Sequence, residues 1–122
     1  MEIGKKIWAI AEGYIPSQST DKEPEFTSHE TACILNTLNK EANIELTIYF
    51  SNKEPYGPYR IIVPPKRTRH VRFNDLKEPF EIPKDTDYSS VFVSDVSVVI
   101  QHTRLDLRQK ENALLSTIAF SM

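Results

Sequence analysis

The sequence is poor in several features that common functions require. It has one cysteine, Cys33, and three glycines among 122 residues. A single cysteine excludes an internal disulfide and favours a reducing compartment. Three scattered glycines exclude a glycine-rich phosphate-binding loop. The apolar run Ile7–Ala11 ends at Glu12, so it is too short for a signal peptide core or a membrane span. These features predict a cytoplasmic protein without direct membrane insertion.

The chain also lacks a large charge of one sign. Its 15 lysines and arginines against 17 acids leave a formal net charge of -2. A nucleic-acid-binding protein that works by bulk positive charge is therefore not indicated, and any such binding would need a local patch.

Long helical periods and internal repeats are missing as well. Short apolar runs alternate with proline and turn residues instead, which is typical of an all-β protein. In the clearest run, apolar side chains alternate with more polar ones, which is typical of a strand with one buried face. The apolar set is Ile44, Leu46, Ile48 and Phe50, and the other set is Glu45, Thr47, Tyr49 and Ser51. The length predicts one domain, residues 1–122. The predicted strands are Lys6–Glu12, His29–Asn36, Asn43–Ser51, Tyr59–Val63, Thr68–Asn74, Ser89–Ser94, Ser97–Leu105 and Ala113–Phe120.

Some of these strands are apolar on both faces. The runs are Ile7–Ala11, Val91–Val93 and Val96–Ile100, the last interrupted by Ser97. In a small antiparallel β-sandwich only the inner face needs apolar residues. We therefore expect a second copy of the chain to cover the outer face, which predicts a homo-oligomer.

The stretch Pro64–Asp75 concentrates positive charge. Its cation-capable side chains are Lys66, Arg67, Arg69, His70 and Arg72. Arginine offers forked donors that suit phosphate or carboxylate, so this strand is a candidate anion site. A solvated edge strand, or a set of interchain salt bridges, explains the same charges equally well.

Strand parity divides this stretch between two faces. Val71 and Phe73 are expected to face the core, with Arg67 and Arg69 at the rim of the same face. By the same alternation, the intervening side chains of His70 and Arg72 project outward.

A second polar run, Gln101–Arg108, contains His102, Arg104 and Arg108. If this strand lies beside Thr68–Asn74, its histidine and arginines would converge with those of the basic strand. The alternative is a polar strand end in which Asp106 pairs with a neighbouring arginine.

No catalytic or metal motif is apparent. His29, His70 and His102, even with Glu12 or Glu30, lack the short spacing of a zinc motif. No G-x-S-x-G elbow occurs, and Cys33 lies in an apolar run that favours a packed thiol. We therefore predict a protein that is not an enzyme and has no metal or cofactor.

Aromatic residues suggest where a ligand could stack. Trp8 lies in an apolar run and is expected in the core or at an interface. Tyr14, Tyr56 and Tyr59 lie near turns, where they are freer to contact a ligand.

Several long stretches closely resemble the soluble sensory rhodopsin transducer family. They are Trp8–Pro16, Ser28–Thr31, Lys53–Arg60, Arg67–Leu76 and Gln101–Ala119. The resemblance implies a small cytosolic β-sandwich that assembles as a homotetramer and relays a light signal from a membrane photoreceptor. Family members are also discussed as DNA-binding regulators and as carbohydrate-binding-like sandwiches, and none of this implies catalysis.

The leading hypothesis is thus a non-enzymatic, oligomeric signalling or binding module. The first alternative is a DNA-associated regulator, whose phosphate contacts would come from the basic side chains. These are Lys66, Arg67, Arg69, Arg72, Arg104 and Arg108. The second alternative is a sandwich that binds a small molecule or carbohydrate. Its candidate residues are Tyr14, Tyr56, Tyr59, His70 and His102.

Overall fold

The computed structural model describes residues 1–17, 29–106 and 113–122, which form β-strands and one short 3-10 helix. The 3-10 helix is Phe73–Asp75. The strands are β1 Lys5–Ile10, β2 His29–Asn36, β3 Ala42–Phe50, β4 Tyr56–Val63, β5 Arg67–Arg72, β6 Tyr88–Asp106, β7 Ala113–Ile118 and β8 Phe120–Ser121. The predicted all-β architecture of eight strands is confirmed. No helix in this part of the chain is both long and apolar enough to cross a membrane.

The long strand β6 organises the sheet, and all pairings with it are antiparallel. Its first half lies between β1 and β3, whereas its second half lies between β2 and β7. The outer strands β4, β8 and β5 extend the sheet beyond β3, β1 and β2 respectively. The two-layer packing of a sandwich and the assembly into a homotetramer stay predictions.

The prediction divided the chain into strands incorrectly at two places. Ser89–Ser94 and Ser97–Leu105 form one strand, because Asp95 does not turn the chain there. Its exposed carboxylate instead accepts hydrogen bonds from the backbone N–H and side-chain amide of Asn43. The predicted strand Ala113–Phe120 is divided at Ala119, whose N–H donates to the carbonyl of Ile100. Beyond that point, β8 pairs with β1 instead of β6.

Alternation along the strands fills one hydrophobic core. Ile44, Leu46 and Ile48 of β3 are buried, as their pattern predicts. Phe92 of β6 lies opposite Leu46 on one side and opposite Trp8 on the other. The indole N–H of Trp8 donates to backbone carbonyls, which satisfies its one polar atom inside the core. The prediction that Trp8 is a core or interface residue is therefore confirmed as core.

The opposite face of β1, β6 and β8 is apolar and exposed. Ile7 faces Val93, and Ala9 faces both Val91 and Phe120. Ile7, Val93 and Phe120 are 37%, 49% and 70% exposed. We call these five residues the outer apolar patch. The strands of this patch therefore carry apolar side chains on both faces, which is the feature from which the sequence predicts an oligomer.

Candidate functional site

The basic strand lies at an edge of the sheet. Strand β5 pairs with β2, and its side chains alternate between two faces. Val71 and Phe73 are buried, which confirms their predicted core orientation. Arg69 stays exposed and donates from Nη1 to the carbonyl of Ile62 over 2.8 Å. Arg67 is likewise exposed, so the core-side arginines lie at the rim, as parity predicts.

The basic strand and the polar end of β6 do not converge. Strand β2 lies between them, so His70 is opposite Cys33, whereas His102 is opposite Ala32. His70 and His102 consequently lie on opposite faces of the sheet, because the side chains of adjacent strand positions alternate. Arg72 shares the outer face of His70 and is half-buried. The predicted cluster of histidines and arginines is therefore divided. Lys66 lies exposed before β5, and Arg108 falls outside the described residues.

Two of the three tyrosines that the sequence predicts near a ligand, Tyr56 and Tyr59, pack against other parts of the chain. Tyr59 is buried, and its hydroxyl donates to the carbonyl of Phe80 over 2.6 Å. Burial, followed by the nearby Tyr56, raises the pKa of Tyr59 to about 12. The interpretation of Tyr59 as a ligand-stacking residue was wrong, because its register in β4 turns it into the core. Tyr56 packs between Phe50 and Phe80.

The remaining candidates, Tyr14, His102 and Arg104, surround the buried carboxylate of Glu30. Glu30 is 0% exposed, and its Oε2 accepts hydrogen bonds from the hydroxyl of Tyr88 at 2.7 Å and from the backbone N–H of Tyr14 at 3.1 Å. Its Oε1 lies 3.3 Å from Nε of Arg104 and 3.5 Å from Nε2 of His102. We call these five residues the Glu30 cluster. The shared face of His102 and Arg104 is as the sequence predicts.

Register explains why this cluster forms. Glu30 occupies a core-facing position of β2, in line with Ala32 and Ile34. The pairing of β2 with β6 sets Arg104 directly opposite Glu30. The two charges lie within ion-pair distance but are not aligned for a hydrogen bond. A guanidinium beside a fully buried carboxylate offsets much of the free energy that desolvating that carboxylate would cost.

Tyr88 completes the environment of the carboxylate. Burial, then the negative charge of Glu30, raises the pKa of Tyr88 well above its ordinary value. The phenol therefore stays protonated at neutral pH and remains a hydrogen-bond donor to Glu30.

Arg104 connects this cluster to an open cleft of about 590 Å³. The cleft lies where β1 and β3 end and β6 begins. Its walls include Tyr14, Tyr49 and Phe50, and its acids are Glu12 and Asp87. We call it the Tyr14 cleft. Nη1 of Arg104 donates to the exposed carboxylate of Glu12, so the guanidinium lies between a buried acid and an exposed one.

A further acid lies beside the cleft. The hydroxyl of Tyr14 is 3.5 Å from Oδ1 of Asp85, which also accepts the backbone N–H of Ser17 over 2.9 Å. Hydrogen bonds from Ser17, chiefly, lower the pKa of Asp85. Asp85 therefore carries its negative charge at neutral pH, and it adds to the negative potential near Tyr14.

The described residues contain no cluster of side chains that suits a metal ion. Among residues 1–17, 29–106 and 113–122, no three side chains of histidine, cysteine, aspartate or glutamate lie close enough to share one. His29 neighbours Glu30 in β2 and so lies on the other face of the strand.

Part of this site carries no motif in the sequence. Tyr49, Asp87 and Tyr88 lie far from Glu30 along the chain and become neighbours only through the sheet. One local signal does exist for Glu30. It is an acid at the core-facing parity of an otherwise apolar strand, and buried acids are almost always paired.

Comparison with known proteins gives a consistent assignment. The family model described as Anabaena sensory rhodopsin transducer matches residues 3–121. A solved structure of the Anabaena sensory rhodopsin transducer is 58% identical, covers 84% of this chain and 99% of its own, and superposes with a TM-score of 0.78. The crystal structure of Thermotoga maritima 1070 is 32% identical, covers 98% and 96%, and has a TM-score of 0.86. No curated protein matches. The chain therefore belongs to the Anabaena sensory rhodopsin transducer family.

Proposed function

We propose that this protein is a non-catalytic, cytoplasmic signalling module that relays the state of a membrane photoreceptor. Family membership over residues 3–121 carries the proposal, together with 58% identity to a protein named as a sensory rhodopsin transducer. An identity of 58% is high enough to extend the comparison from the shared fold to a shared class of partner.

The proposed test measures binding to a sensory rhodopsin in lipid nanodiscs, in the dark and under illumination. A transducer must bind the two photoreceptor states with different affinities, because a partner with equal affinity for both cannot report a change. We expect a difference of about fivefold or more in Kd. The control is the same opsin without retinal, which should show no effect of light. Equal affinity in dark and light, or no binding, would contradict the relay.

We further propose that the module is a homo-oligomer, in keeping with the predicted tetramer, and that the outer apolar patch is its interface. Exposed apolar side chains lie next to one another on three strands, and such a surface normally meets another protein. The patch lies on paired strands of one sheet, and a second copy can meet it with its identical patch about a two-fold axis.

A charge placed within the patch tests this interface. We expect Val93→Asp to shift the mass measured by light scattering towards that of the monomer, because association would bury an unpaired carboxylate. Leu35→Asp is the control, since Leu35 is an exposed apolar residue of β2 outside the patch. A wild-type protein that is already monomeric at micromolar concentration would overturn the proposal. So would a Val93→Asp protein of unchanged mass.

Binding of a small molecule is a second candidate function, and the Tyr14 cleft favours it. Its volume falls in the range of small-molecule sites, and it combines aromatic walls with a few charged groups. The DNA-associated alternative has no comparable support. Arg104 is engaged by two carboxylates, and the arginines of β5 are divided between two faces.

A further inference from the structure

We propose that the Tyr14 cleft is a binding site for a small organic cation. This inference goes beyond the signalling role and does not depend on it, because it concerns the charges and rings of the cleft alone. It also differs from the sequence expectation of an anion site at Arg104.

The first step is the charge of the cleft. Among the described residues that line the cleft, Arg104 is the one with a permanent positive charge, and the buried carboxylate of Glu30 lies 3.3 Å from its guanidinium. That pair is close to neutral. Glu12 and Asp87 then leave the described lining with a net negative charge. Beside the lining, Asp85 near Tyr14 adds one negative charge and Lys53 near Phe50 adds one positive charge, so the sum stays negative. An anionic ligand would be repelled here, whereas a cation would be attracted.

The second step is the nature of the walls. Three aromatic residues, Tyr14, Tyr49 and Phe50, are among those that line the cleft. Aromatic faces attract ammonium groups through the negative charge of the π-system. Rings combined with carboxylates form a typical environment for an organic ammonium ion, because the rings contact its apolar substituents while the acids balance its charge.

The third step concerns cations of the chain itself. At one side of the cleft, the carboxylate of Glu12 forms an ion pair with the guanidinium of Arg104. At another, Nζ of Lys53 lies 4.6 Å from the ring centroid of Phe50 and 5.1 Å from that of Tyr56. Two groups that line the cleft, the carboxylate of Glu12 and the ring of Phe50, thus contact positive side chains, and they indicate the chemistry that the cleft recognises.

The test uses choline and its neutral isostere 3,3-dimethyl-1-butanol, which differ in charge but hardly in shape. We expect saturable, residue-specific NMR shifts in the cleft with choline. We expect binding of the neutral alcohol to be at least about tenfold weaker, because the carboxylate and cation–π contributions are both lost. A second cation, 1,4-diaminobutane, tests whether a primary ammonium is accepted.

Variants then locate the site. Glu12→Gln removes one carboxylate and leaves Arg104 less neutralised, so choline should bind about tenfold more weakly. Glu45→Gln is the matched control, because Glu45 is an exposed carboxylate that pairs with Arg60 away from the cleft. Tyr49→Phe keeps the ring and should preserve binding, whereas Tyr49→Leu should weaken it several-fold. Glu12, Tyr49 and Glu45 are exposed, so these variants should remain folded.

Three outcomes would overturn the proposal. The first is the absence of saturable binding by both choline and 1,4-diaminobutane at low ionic strength. The second is equal binding of choline and the neutral alcohol, which would show that charge plays no part. The third is binding of benzoate that becomes tighter in Glu12→Gln, which would make Arg104 the centre of an anion site.

Discussion

Replacing Glu30 by alanine is expected to lower the free energy of unfolding by about 3–5 kcal/mol, because it breaks a buried charge pair from one side. The substitution leaves the guanidinium of Arg104 without its buried partner. It also removes the acceptor for the hydroxyl of Tyr88 and for the N–H of Tyr14. Buried donors that lose their partner are destabilising in themselves.

The size of the effect separates charge from hydrogen bonding. Glu30→Gln keeps an oxygen that can accept from Tyr88 and Tyr14, yet it removes the negative charge that faces Arg104. We therefore expect a smaller loss than with alanine, about 2–3 kcal/mol. Both losses are to be measured by urea unfolding, followed through the fluorescence of Trp8. The protein concentration is kept fixed because association contributes to the apparent stability.

Glu45→Ala provides the matched control. Glu45 also pairs with an arginine, Arg60, over 2.8 Å, but both side chains are exposed. The loss should be about 1 kcal/mol or less, since solvent screens such pairs. Equal losses for Glu30→Ala and Glu45→Ala would contradict a structural role for the Glu30 cluster.

The sequence predicts two strands particularly well. Strand β3 shows the predicted alternation of buried and exposed residues, and β2 has the predicted bounds although its run Ala32–Leu35 is apolar. The prediction divided β6 into Ser89–Ser94 and Ser97–Leu105, with the polar residue Asp95 between them. An exposed aspartate can remain within a strand when neighbouring N–H groups bind its carboxylate, as those of Asn43 do here. That compensation comes from a different strand, so no local pattern reveals it.

The site was less accessible to sequence patterns, for a related reason. Parity places His102 and Arg104 on one face, and the structure agrees. Parity cannot show which strand lies beside them. The insertion of β2 between β5 and β6 brought Glu30 to Arg104 and kept His70 away from His102. Strand order depends on long-range pairing, whereas alternation depends on neighbouring residues, so the face was predictable and the partner was not.

Phe92→Ala should produce the second large effect, a loss of about 3–5 kcal/mol in the free energy of unfolding. Phe92 is 0% exposed and lies between Leu46 and Trp8 in the register of three strands. Its ring centroid is also 6.3 Å from that of Phe73, which joins the sheet to the 3-10 helix. Removing the ring therefore leaves a cavity bounded by strands whose backbone pairing prevents collapse.

Phe80→Ala is the comparison that isolates burial, because the same atoms are removed from a ring that is 53% exposed. Phe80 packs against Tyr56 at 4.6 Å between centroids, so its loss should be about 1 kcal/mol. Both variants would be unfolded in urea at the concentration used for the wild type. The ratio of the two losses measures how much of the stability depends on filling the core. If Phe80→Ala were as destabilising as Phe92→Ala, the exposed aromatic stack and not the β6 core would be the main support of the fold.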